Sequence, residues 1–106
     1  MLTKLEDQIL LASWRMQGNA YGINIFQNLE KRTGKKLAVG VVYFALDRLN
    51  KRGLLESYKG EPTAVRGGMR KKYYRITPQG IEALEESKRI HDSVWEGFSQ
   101  KTAAQS

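Results

Sequence analysis

AVGVVYFALDRLNKRGLLES, residues 38–57, joins an amphipathic helix to the start of a strand. Val39, Val42, Leu46 and Leu49 recur at three- and four-residue spacing and make one apolar helical face, while Gly40, Phe44, Asp47, Arg48 and Lys51 fall on the other. Such a helix has a free outer surface. Gly53 stops it, and Leu54 to Tyr58 then reads as a strand. A loop containing glycine and arginine separates this strand from a second, Lys72 to Ile76. Helix followed by basic hairpin is the order of a winged helix-turn-helix, whose second helix enters a DNA groove. The expected fold class is mainly α with a small β hairpin.

Towards the N-terminus, Thr3-Lys4-Leu5-Glu6 is a capping box that starts a helix running to about Gln17. Leu2, Leu5, Ile9, Ala12 and Met16 mark its apolar face, and Leu10, Leu11 and Trp14 widen that face beyond a single stripe. Part of it is therefore expected to cover a second subunit. Gly18-Asn19 breaks the helix, with Asn19 as the expected cap of a second helix from Ala20 to about Thr33 that turns Tyr21, Ile25 and Leu29 inward. Gly34-Lys35-Lys36 connects it to the central stretch, and Leu37 is expected to form a brief strand.

Beyond the hairpin, Thr77 caps a last helix, Pro78 takes its first position, and Gly80 weakens its start. The pattern of Ile81, Leu84, His91, Val94, Trp95 and Phe98 carries this helix to near Phe98, about 30 Å. Glu85 is expected to pair with Arg89 on its outside. So small a chain leaves little to bury the far end, so Ile90 to Phe98 reads as a dimer surface. The division is then 1–76 as a DNA-binding unit, 77–98 as a dimerisation helix and 99–106 as a disordered tail.

The 106 residues suffice for one modest core. With no cysteine and one histidine, disulfides, thiol catalysis and a cysteine or histidine-rich metal centre are excluded, and no cofactor is expected. No apolar run reaches the length of a membrane span, and the start lacks the character of a signal peptide; a cytoplasmic protein without membrane association is expected. The formal charge is +7, and the segment from Arg48 to Arg75 carries all of it, with nine bases against Glu56 and Glu61. Localised charge of this kind suits a polyanion. No serine has a base beside it, His91-Asp92 is a lone neighbouring pair, and the glycine-rich loop lacks the signature of a nucleotide loop, so catalysis is not expected.

The runs GNAYG at 18–22, TGKKLAVGVVYFALDRLNKRGLLES at 33–57 and GEPTAVRGGMRKKYYRITPQG at 60–80, with Ala83-Leu84, resemble the PadR family of bacterial transcriptional regulators over about residues 2–98. The resemblance implies the short form with one C-terminal helix, a dimer made by that helix and the first across a two-fold axis, and repression from promoter DNA. Two positions depart from the family pattern. Ala38 stands where serine or threonine is common at the recognition-helix cap, and Asn50 where glutamate is typical.

The residues expected to meet double-stranded DNA are Gly40, Val41, Tyr43, Phe44, Asp47, Arg48 and Lys51 on the helix, and Lys59, Arg66, Arg70, Lys71 and Lys72 on the hairpin. Arg66 and Arg70 are better placed than Arg75, whose position suits an intramolecular carboxylate. Leu5, Ile9, Met16, Ile90, Val94, Trp95 and Phe98 are the expected seam of a homodimer. The resemblance further implies an aromatic-lined space for a flat apolar or aromatic effector, with Trp14, Met16, His91, Asp92 and Trp95 as candidate lining; a closed seam is the other reading. The alternative function is a dimeric winged-helix interaction or structural protein that binds nucleic acid without sequence preference, or another protein.

Overall fold

The computed structural model describes residues 1–60 and 71–99. Helix α1 spans Lys4–Met16. Its start is the reciprocal box that the sequence predicts: Glu6 N donates to Thr3 Oγ1 at 3.1 Å, and Thr3 N donates to Glu6 Oε1 at 2.9 Å. A cap of this type contributes about 1 kcal/mol. One side of α1 buries Ile9, Leu10 and Ala12 in the centre of the chain.

Strand β1, Ala20–Tyr21, comes next, and helix α2 covers Gly22–Thr33. This corrects the expected start of the second helix. Ala20 and Tyr21 pair antiparallel with Tyr74 and Tyr73, which satisfies backbone groups beside the buried Ala20. Asn19 is accordingly not the cap: Asn24 Oδ1 accepts from Tyr21 N at 2.8 Å, and its amide nitrogen donates to Asn19 O at 2.8 Å. Leu37, the expected site of a brief strand, instead donates its N–H to Glu30 Oε2 at 2.8 Å.

Helix α3, Val39–Lys51, buries Val42, Ala45, Leu46 and Leu49. Val39, expected on that face, is 42% exposed, because a first-turn side chain tilts towards the helix N-terminus and so past the edge of the core. Ala38 gives no side-chain cap. The other end closes on Gly53 at φ 78, where Leu54 N donates to Leu49 O at 3.0 Å and Gly53 N to Asn50 O at 3.1 Å. That pair of bonds, with glycine in the left-handed region, turns the chain directly into the next strand.

Strands β2, Leu55–Lys59, and β3, Lys72–Ile76, pair antiparallel from Leu55 opposite Ile76 to Lys59 opposite Lys72, and the sheet order is β1-β3-β2. Leu55 and Tyr74 close the core from this side. The Tyr58 hydroxyl donates to Gly18 O and ties the outer strand to the end of α1.

Helix α4 spans Pro78–Val94. Thr77 Oγ1 accepts from Gly80 N at 3.0 Å and Pro78 sits in the first turn, as the sequence predicts. The helix ends short of Phe98, since the chain turns after Trp95 and Gly97 takes φ 83. Its length is about 25 Å. Arg89 pairs with Glu86 at 2.5 Å, not with Glu85, because the residue three positions back is as near as the one four back. Gly80 also departs from expectation. A Cβ there would stand 2.2 Å from the Leu54 carbonyl oxygen, so glycine is what lets α4 seat against the start of β2.

Candidate nucleic-acid interface

With Val42, Ala45, Leu46 and Leu49 turned inward, α3 presents Gly40, Val41, Tyr43, Phe44, Asp47, Arg48 and Lys51 outward, all exposed. Val41 is 54% and Phe44 64% exposed. An apolar tip of this kind, beside the charged Asp47, Arg48 and Lys51, is what contact surfaces carry. Asp47 and Lys51 largely cancel each other at 3.0 Å, one turn apart. Arg48 lies 5.8 Å from the centre of the Phe44 ring and 3.8 Å from the buried carboxylate of Glu6.

The hairpin base adjoins this face. Tyr43 lies across the start of α2 so closely that a Cβ at Gly22 would be 2.3 Å from its ring. Tyr21, Gly22, Tyr43, Lys71, Lys72 and Tyr74 line an open hollow of about 490 Å³. Aromatic faces hold the cations at its rim: Lys71 Nζ is 4.2 Å from the centre of Tyr21, and Lys72 Nζ 5.6 Å from that of Tyr74. Tyr74 is buried, which raises its hydroxyl pKa, and Tyr43 and Asp47 add to the effect.

Lys59 and Lys72 stand directly opposite each other in the β2–β3 register, both exposed. Like charges in that position oppose strand pairing, and an anion laid between them relieves the repulsion. Arg75 is different. It bonds Glu56 across the strands at 2.9 Å and stacks 4.5 Å from the centre of Tyr58, as its position suggested. Arg66 and Arg70 lie outside the described residues.

The candidate seam residues divide. Ile9 is fully buried inside its own chain and has no surface to offer a partner. Leu5 and Met16 pack partly against the same core, and Ile90 is half-buried. Val94, Trp95 and Phe98 are exposed at 76%, 53% and 61%. Trp95 stacks on His91 with centroids 5.5 Å apart, and Phe98 meets the Trp95 ring edge-on at 5.2 Å. This aromatic group sits at the end of α4.

The candidate effector residues divide within one chain: His91 touches both Asp92 and Trp95, and Trp14 lies elsewhere. Trp14 lines a hollow with Gly18, Arg75 and Ile76, whereas His91 and Asp92 line a groove of about 480 Å³ between α1 and α4 with Leu11 and Leu84. Hydrogen bonds from Lys88 and His91 hold the Asp92 carboxyl below its ordinary pKa. Sequence reasoning missed Tyr21, Gly22 and Tyr74 at the hairpin hollow, and Glu6 and Arg52 behind α3. The Tyr21-Gly22 pair was legible as a motif, but its approach to Tyr43 depends on a helix crossing that no local pattern encodes.

Among the described residues no helix is long and apolar enough to cross a membrane. The sequence model of the Transcriptional regulator PadR-like family matches residues 10–86. An uncharacterized protein X of Lysinibacillus sphaericus is 31% identical over 92 residues, covering 78% of this chain and 82% of the relative. The crystal structure of a PadR-like transcriptional regulator from Bacillus cereus is similar at a TM-score of 0.71 and 31% identity, over 85% of this chain and 82% of that one. A PadR family transcription regulator from Clostridium difficile is similar at a TM-score of 0.68 and 26% identity, over 88% and 95%. The chain thus belongs to the PadR-like family of transcriptional regulators, winged helix-turn-helix DNA-binding proteins and not enzymes.

Proposed function

We propose that this protein is a homodimeric repressor that reads an inverted repeat, each subunit laying α3 in a major groove and its hairpin base along the phosphates. The observation that carries the reading is the exposed apolar tip of α3, Val41 and Phe44, on the same helix whose Tyr43 shares a hollow with Lys71 and Lys72. Val41 and Phe44 suit thymine methyl groups, and the lysines suit backbone oxygens. Tyr43 borders the same hollow, where its hydroxyl suits a phosphate. Two copies joined through Val94, Trp95 and Phe98 place two reading helices on one face of the duplex, and occupancy of promoter DNA then blocks transcription.

The experiment is a polarisation titration of labelled duplex carrying a selected site against the same duplex shuffled. A dimeric reader prefers the selected site by at least about a thousandfold. A purely charge-driven binder holds both alike, and that result removes the repressor reading in favour of non-specific binding.

The groove between α1 and α4 favours one addition, an aromatic or apolar effector that enters beside His91 and Trp95 and releases DNA. Quenching of tryptophan emission by anilinonaphthalene sulfonate, lost in Trp95→Ala and accompanied by weaker DNA binding, is the expected signature. Quenching without any effect on DNA binding counts against an effector role.

A further inference from the structure

Glu6 is a buried carboxylate that neither the reading helix nor the dimer seam accounts for. It is 3% exposed, so each oxygen needs a partner. Oε1 is occupied by the capping bond from Thr3 N at 2.9 Å. Oε2 faces α3 instead: Arg52 donates to it at 3.3 Å, and an Arg48 guanidinium nitrogen lies 3.8 Å away. A capping residue needs only one acceptor, and glutamine supplies it as well as glutamate does. The second oxygen and the charge therefore serve the two arginines.

Those arginines are one turn apart at the end of α3, each about half exposed, and Arg48 lies against the exposed ring of Phe44. A guanidinium in that position would take any phosphate within reach, whatever the sequence. We infer that Glu6 is a positioning residue that holds Arg48 back along α3 and so limits sequence-independent binding, leaving discrimination to Val41 and Phe44. The inference rests on the DNA-binding reading above and adds to it a residue on α1, outside the helix and hairpin to which that reading assigns the contacts.

The test is Glu6→Gln, which keeps the capping acceptor and removes the charge, with affinity for selected and shuffled duplex measured between about 50 and 200 mM salt. Glu6→Gln is expected to steepen the salt slope by about 0.9 for each arginine released to a phosphate, which is a drop about threefold larger over that range. The preference for the selected site falls at the same time. Arg48→Ala costs more binding in the Glu6→Gln background than in the native one, a non-additivity that a merely structural role for Glu6 would not produce. In the native background Arg48→Ala lowers the slope by less than Lys71→Ala does, and this comparison stands even where Glu6→Gln melts too early to assay.

Unchanged slope and preference in Glu6→Gln, or a full loss of about 0.9 from Arg48→Ala alone, overturns the inference while leaving the regulator reading intact. Absence of any salt-dependent duplex binding by the native protein overturns both.

Discussion

The α-carbon of Gly80 sits against the carbonyl of Leu54, so closely that a Cβ would stand 2.2 Å from that oxygen. Leu54 O also accepts from Thr77 N at 3.1 Å, and Thr77 Oγ1 donates to Gly53 O at 2.7 Å. The first turn of α4 is thereby fixed to the residues that end α3. In the proposed dimer this junction carries the spacing between the two reading helices.

Gly80→Ala follows as a test of the junction. In an ordinary helix the change gains up to about 1 kcal/mol. Here the obstacle is backbone, which cannot swing aside, and a loss of about 1–3 kcal/mol is expected, with a drop in Tm of several degrees. A raised Tm would mean that the close approach is not maintained in solution.

Lys71→Ala and Lys72→Ala should weaken binding to selected and shuffled duplex alike, each lowering the salt slope by about 0.9. Phe44→Ala should act on the other quantity. It is expected to reduce preference at one base pair of each half-site by about 1–3 kcal/mol with little change in slope. Polarisation titrations at several salt concentrations separate the two effects.

Trp95→Ala should weaken the dimer at least tenfold, the effect of removing an aromatic anchor worth about 2 kcal/mol. Sedimentation across a concentration series reads it directly. Ile9→Ala, by contrast, opens a cavity in the core and should lower Tm by an amount fitting about 2–5 kcal/mol, through the fold and not the seam.

Tyr74 supplies a pH dependence. Burial holds its proton more tightly in the folded chain than the ordinary value of 10.0. The sign follows from that direction: the stabilisation is complete below about 10 and is lost as pH rises through the raised value. Urea midpoints measured from about pH 9 upward should therefore fall more steeply for the native chain than for Tyr74→Phe.

Much of the fold was legible because local chemistry and tertiary packing agree. Thr3 and Glu6 cap α1, Gly53 ends α3, and the bounds of β3 follow from its own residues. The disagreements arise where a distant partner decides. Ala20 and Tyr21 are too short a run to signal a strand, and only β3, some fifty residues on, makes them one. Gly80 reads as a weak helix former until Leu54 is placed against it. Val39 continues the apolar spacing of α3 yet projects past the core. At the interface, the outward residues of α3 followed from periodicity, whereas the hollow at Tyr21 and Tyr74 and the grip of Glu6 on Arg48 and Arg52 needed three dimensions.

Whether a dimer reads sequence through paired α3 helices is decided by selecting bound duplexes from a random pool and sequencing them. The expected product is an enriched inverted repeat whose half-site centres lie about one helical turn apart, roughly 10 base pairs. Recovery of duplexes with no common sequence, or of a single unrepeated half-site, would contradict it.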